Sequence, residues 1–493
     1  MFNFSVLSVI FLPFAGSLAL AFFNWNEALA KKIGLFISLG TFFLSLSFWV
    51  FFNNATAAFQ FLSTVSWLSF FNIILSFGVD GISLFFILLT TFLVPLCLVF
   101  SWNISETFKL SPKNYFAAFL LMESFILVVF TTLDLFVFYV FFEAVLIPMF
   151  IIMGFWGSRD RKSRASFFLF LYTVLGSLFM LVGILFVFFT TGTTNFLLLL
   201  DYSFCVSHQK MLWLAFFLSF SVKVPIVPVH LWLPEAHVEA PTEGSVLLAG
   251  ILLKLGSYGL IRFSISLFPL GSLFFRPLVF FMGMLAVVYT SMTALRQTDI
   301  KRVIAYASVA HMNITLLGLF SFSLEGVAGA IFQIISHGIV SGALFFCVGV
   351  LYSRHHTKLI YYYSGLVQTI PLFVSFFLLF TMANIGLPGT SSFVGEFLIL
   401  VGIFSINIVC SFFAASSMVF GGCYALWLFN RLSYGNVNSS FLFYSADLTK
   451  KEFAVLFPLA FLVLFIGVFP GFFFETLLVP CATLLKVIHS FNL

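Results

Sequence analysis

Five ionisable side chains stand inside otherwise apolar runs: Glu123 in "FLLMESFILVVF", Glu143 in "FVFYVFFEAVLIPMF", Lys223 in "SFSVKVPIVPVH", Lys254 in "AGILLKLGSYG" and Glu396 in "SSFVGEFLILVG". A carboxyl taken out of water holds its proton more tightly and an ammonium less tightly, while pairing the two reverses both effects. Groups of this kind can therefore pass protons when their partners come and go. His230, His311 and His337 add imidazoles, each offering one donor and one acceptor near neutral pH, which suits a relay between carriers. The static alternatives are a buried Glu143–Lys223 salt bridge, a Glu123 carboxyl bonded to a neighbouring helix, and hydrogen-bonded structural histidines. Lys254 sits about twelve residues from either end of its run, about 18 Å along a helix, too deep to snorkel to an interface.

These residues need a membrane frame. Of 493 residues 62% are hydrophobic and only 8% charged, against about 25% charged in soluble domains. Runs of about 20 apolar residues, enough to span a bilayer as a helix, recur along nearly the whole chain. The fold class is an all-α polytopic membrane protein. Fourteen spans are expected, at about 2–22, 32–52, 82–103, 114–131, 134–156, 165–190, 211–229, 242–266, 277–295, 300–321, 325–352, 366–410 (broken), 413–432 and 454–474. The stretch 53–81 reads as an apolar-aromatic loop at the membrane surface. With these spans, sixteen lysines and arginines fall on one side, among them Lys31, Lys109, Arg159, Lys301 and Lys358. The other side holds Lys210, Arg262, Arg276 and Lys486. The positive-inside rule puts the basic side in the matrix or cytoplasm.

A charge at mid-membrane costs about 2.5–3.5 kcal/mol even on the lenient scale, so the five must pair or meet water. Two proline-rich interruptions provide the opening. Pro225 and Pro228 break the seventh span just after Lys223, and Pro234 and Pro241 keep the adjoining stretch irregular, with His237 in an interfacial loop. Gly386, Pro388 and Gly389 break the twelfth span just before Glu396. Paired interrupted helices mark binding sites in transporters built from inverted repeats. Two inverted five-helix repeats are accordingly expected, spans four to eight (114–266) and nine to thirteen (277–432), flanked by residues 1–113 and by a C-terminal helix and tail at 433–493.

Composition excludes other classes. A net charge of +5, scattered along the chain, does not suit nucleic acid. The six cysteines form no cluster for a metal, an iron–sulfur centre or a disulfide framework, and no phosphate-binding glycine loop follows a strand. The first arginine is Arg159, so an Arg-rich transit peptide is absent. Seventy-seven phenylalanines fit an AT-rich genome and lean towards organelle coding.

"DLFVFYVFFEAVLIPMFIIMGFWGSR", "VKVPIVPVHLWLPEAHVEAPTEGSVLLAGILLKLGSYG", "IAYASVAHMN", "ISHGIVSGALFFCVGVLY" and "LPGTSSFVGEFLILVG" closely resemble the antiporter-like subunits of respiratory complex I, the NADH:ubiquinone oxidoreductase, over about residues 75 to 435. Glutamate rather than lysine at 396 favours the subunit 4 branch. The resemblance implies a proton-translocating module with no cofactor of its own, flavin and iron–sulfur clusters residing in other subunits. It implies neighbours resembling subunits 2 and 5, accessory subunits, and a place in the mitochondrial inner membrane; the positive-inside count then puts both termini in the intermembrane space. By the same resemblance Glu143 and Lys223 form the coupled pair, Lys254 is the central lysine, Glu396 the exit carboxylate and Glu123 a second acid on helix four. The basic loop "GSRDRKSR" (157–164) reads as a topology anchor with a phospholipid such as cardiolipin nearby. Glu243 departs from the family's small residue. It is either a helix-end charge or an acid that gathers protons, eleven residues and about 16 Å before Lys254 on nearly the same face. The rival readings are a stand-alone cation/proton antiporter and a structural spacer that has lost pumping.

Overall fold

The computed structural model describes residues 5–23, 25–68, 73–103, 111–158, 161–437, 441 and 446–489. The expected places of Lys109 and Arg159 lie outside these residues. Among the described residues twelve helices are long and apolar enough to cross a membrane, and Val6–Phe22, Pro371–Ile385 and Ser391–Phe404 are shorter apolar helices. In hydrocarbon every backbone N–H and C=O must be paired within the protein, which is why apolar runs of this length become helices.

The chain divides into two compact units. One comprises Met1–Val224, Ile251–Arg276 and Glu475–Leu493; the other comprises Pro225–Gly250 and Pro277–Phe474. The helical stretch Thr242–Ile265 contributes to both and is fully buried. It carries π-helical turns at Leu248–Leu252 and Leu260–Ile265, a departure from α geometry that is frequent at functional sites.

Both expected breaks are present. The helix Val206–Lys223 stops at Lys223, and a cis peptide joins Val227 to Pro228. The helix Pro371–Ile385 ends at Gly386, whose φ of 84° is left-handed, and Ser391–Phe404 starts after Gly389, with φ 90°. Glycine bears such angles without a Cβ clash.

Four expectations change. The stretch 53–81 is not an irregular loop: Gln60–Leu68 pairs antiparallel with Ile73–Val79, Val65 opposite Leu75. Pairing satisfies the backbone of an apolar, β-branched segment that water covers poorly. The Leu133 N–H donates to Ser76 O at 2.8 Å, tying the hairpin to the turn between two spans. Second, the chain after the first break is helical at Trp232–Glu239. Pro234 falls in its first turn, where the missing N–H has no partner to lose. His237 is accordingly buried and stacks on Phe345 at 4.6 Å. Third, the fifth span is two helices, Leu135–Ala144 and Leu146–Trp156. Pro148 cannot donate to the Ala144 carbonyl, so the ladder is interrupted one residue after Glu143. Fourth, the expected tail carries a helix, Gly471–His489, restarted after Pro470.

Candidate functional site

In the first unit, Lys223 is buried at 3% exposure and Lys254 at 0%, whereas Glu143 is only half-buried. Glu143 and Lys223 lie within electrostatic reach of one another. Yet the Lys223 ammonium sits 4.4 Å over the ring of Phe142, and neither Nζ nor Glu143 Oε1 has a hydrogen-bond partner among the described residues. The pair is in reach but open. The helix of Lys254 packs directly on the end of the helix of Lys223. A Cβ on Gly256 would lie 2.9 Å from Lys223 Cβ and 3.1 Å from Phe220 O, so only glycine permits the approach. Glu123 is fully buried and accepts a 2.6 Å hydrogen bond from Thr41 Oγ1 on the helix Glu27–Val50.

The second unit gathers a separate cluster around Glu396. His311 Nδ1 lies 3.0 Å from Glu396 Oε1, the rings of His311 and His337 are 5.8 Å apart, and Gln333 Nε2 donates to Glu396 Oε1 at 3.0 Å. The missing Cβ of Gly386 matters here, since an added one would stand 2.6 Å from Glu396 Oε2. The broken helix thus admits the carboxylate against its own backbone. His230 is buried at 3% and lies edge-on to Tyr289 and Tyr306 at 5.8 and 6.3 Å.

Around the first break and the end of the helix Trp232–Glu239, backbone carbonyls are taken up by side chains. Asn313 Nδ2 donates to Pro225 O at 3.2 Å, Lys358 Nζ to Val238 O at 2.6 Å, and Lys301 Nζ to Ala240 O and Ser245 Oγ at 3.0 and 3.2 Å. Lys301 and Lys358, counted in sequence among the cations of the basic side, are each 1% exposed. A cation at the C-terminal end of a helix also meets the negative end of its dipole. Glu243 lies next to this clamp in the first turn of Thr242–Leu247 and is 6% exposed, not a surface charge.

Gln333, the clamp lysines and the interruption beside Glu143 escaped the sequence reading. Pro148, four residues after Ala144, was the signal for the last of these. Among the described residues no three His, Cys, Asp or Glu side chains converge on a metal site.

A profile of the family described as NADH:quinone oxidoreductase/Mrp antiporter, transmembrane, matches residues 132–422. The NADH-ubiquinone oxidoreductase chain 4 of Marchantia polymorpha is 53% identical over 95% of this chain and 94% of that protein. The protein of the same name from Arabidopsis thaliana is 52% identical over 96% and 95%. Among solved structures, a chain of respiratory complex I from Thermus thermophilus with bound NADH superposes with a TM-score of 0.88 at 29% identity, covering 98% of this chain and 99% of that one. A chain of the Mrp complex from Dietzia sp. DQ12-45-1b shares the fold, with a TM-score of 0.87 at 18% identity over 99% of both chains. With that identity sustained over nearly the whole length, the chain belongs to the NADH:quinone oxidoreductase/Mrp antiporter transmembrane family, in its NADH-ubiquinone oxidoreductase chain 4 branch.

Proposed function

We infer that this chain is a proton-translocating membrane-arm subunit of a complex I-type NADH:ubiquinone reductase. The observation that carries the reading is the placement of carriers beside helix breaks: Lys223 ends the helix at the first break, and Glu396 follows the second with His311 at 3.0 Å. A broken helix exposes backbone that only protein or water can satisfy, so water and titratable groups share the same place. Glu143, Lys223, Lys254 and Glu396 carry protons; His230, His311, His337 and Glu123 relay them. Two inverted repeats, 114–266 and 277–432, frame the carriers. The complex lies in the mitochondrial inner membrane with the basic loops in the matrix and both termini in the intermembrane space. Its neighbours are the subunits resembling 2 and 5, accessory subunits, and a phospholipid such as cardiolipin at the basic loops. Flavin and iron–sulfur clusters belong to other chains of the complex.

The test is the composition of the native detergent-solubilised complex. The chain should migrate with flavin absorbance, iron–sulfur absorbance and the peptides of redox subunits. Migration with cation/proton antiporter subunits alone would move the assignment to the stand-alone antiporter.

Glu243 gathers protons at the basic end of Thr242–Ile265, where the clamp of Lys301 on Ala240 O and Ser245 Oγ fixes the start of its helix. Glu243→Ala should slow turnover several-fold at alkaline matrix pH, where protons are scarce, with little change at neutral pH. A loss of equal size at every pH, or none, returns Glu243 to a helix-end charge worth about 0.3–1 kcal/mol.

A further inference from the structure

Lys254, Tyr258 and Arg262 are spaced at four-residue steps, which places successive residues on one helix face. The last two are locked. Tyr258 Oη donates to Phe130 O at 2.9 Å and accepts from Arg262 Nε at 3.3 Å. Arg262 Nη2 donates to Asp80 Oδ1 at 2.6 Å, and the same Oδ1 takes the N–H of Ser83 at 2.9 Å, which fixes the carboxylate as the cap of the helix Gly81–Phe100. The guanidinium lies 4.9, 5.7 and 5.4 Å from the rings of Phe59, Phe196 and Tyr258. Beneath it Phe86, Phe130 and Tyr258 close on one another at centroid distances of 5.1 to 5.5 Å. Asp80 is 3% exposed and Arg262 7%. Sequence alone puts Arg262 near the end of the eighth span, on the side with few lysines and arginines.

We propose that the Asp80–Arg262 pair and the Phe86–Phe130–Tyr258 cluster form a proton seal that closes the C-terminal end of the span carrying Lys254. Arginine keeps its proton at any physiological pH, so a Tyr258–Arg262 chain cannot hand one onward. A fixed cation repels hydronium, and an apolar constriction excludes the water a proton would travel on. A proton on Lys254 therefore has no exit past Arg262. The seal rests on the reading of Lys254 as a proton carrier.

The experiment uses the whole complex in liposomes, with three readouts: passive proton conductance without substrate, protons pumped per electron, and NADH:quinone turnover. Asp80→Asn combined with Arg262→Gln removes both charges and keeps hydrogen-bonding shapes. Conductance should rise several-fold and the proton-to-electron ratio fall, with turnover retained. An assembled double variant with the conductance of the parent overturns the seal. Adding Lys254→Met should abolish the leak; a leak that persists overturns the link to Lys254. Should the double variant not assemble, Tyr258→Phe keeps the ring and removes both hydroxyl bonds. It should give a smaller rise, and unchanged conductance overturns the proposal. Lys254→Met alone separates the two ideas: intact pumping there defeats the carrier reading and the seal with it, whatever the conductance.

Discussion

Lys254→Met should stop proton pumping through this subunit and cut coupled quinone reduction by about tenfold or more, equivalent to at least about 1.4 kcal/mol on the coupled barrier. The side chain is fully buried in a fully buried span, directly after a π-helical turn. Met keeps the length and apolar stem and removes only the ammonium. Lys254→Arg is the sharper measurement, because guanidinium preserves the charge but does not release a proton. It should pump as poorly as the Met variant. If Arg pumps like the parent, Lys254 is a fixed field and not a carrier.

Glu143→Gln should lower pumping and reductase activity together, each several-fold, in a complex that still assembles. Assembly is spared because Glu143 is half-buried and holds no hydrogen-bonded salt bridge to Lys223. A static strut would show a closed pair. Here the Lys223 ammonium rests on Phe142, 4.4 Å from its ring, a contact worth about 0.5–2 kcal/mol. That is small enough for Glu143 to compete with when it swings inward. Full pumping by a well-assembled Glu143→Gln complex would remove the pair from the mechanism.

The all-helical membrane class and the two breaks were legible because hydrocarbon imposes a strict rule: long apolar runs must be helices, and proline or glycine inside one is costly without compensation. Lys223 and Glu396 were legible for the same reason, as charges next to such breaks. The hairpin at residues 60–79 was not, since a short apolar, β-branched segment carries no period long enough to separate a strand from a surface loop. Lys301 and Lys358 read as cations of the basic side because charge counting assigns a side and says nothing of burial. Their carbonyl acceptors exist only once Trp232–Glu239 has become a helix. Gln333 is neutral and sits mid-helix, so nothing marks it until Glu396 is placed 3.0 Å away. His237 was misread through Pro234, whose position in a first turn depends on where the helix starts.

The bonds that fill the first break have a mechanical meaning. Asn313 holds its beginning at Pro225, and Lys301 holds its end at Ala240. Both come from one helix, Ile300–Leu319, and are twelve residues apart, about 18 Å. That helix is a splint laid along a fracture. The broken segment is pinned near both ends to a rod of more than five turns, which opposes a piston-like stroke of its backbone. What the splint leaves free is the rotation of side chains, and under the proposed relay charge would pass this stretch by such small motions.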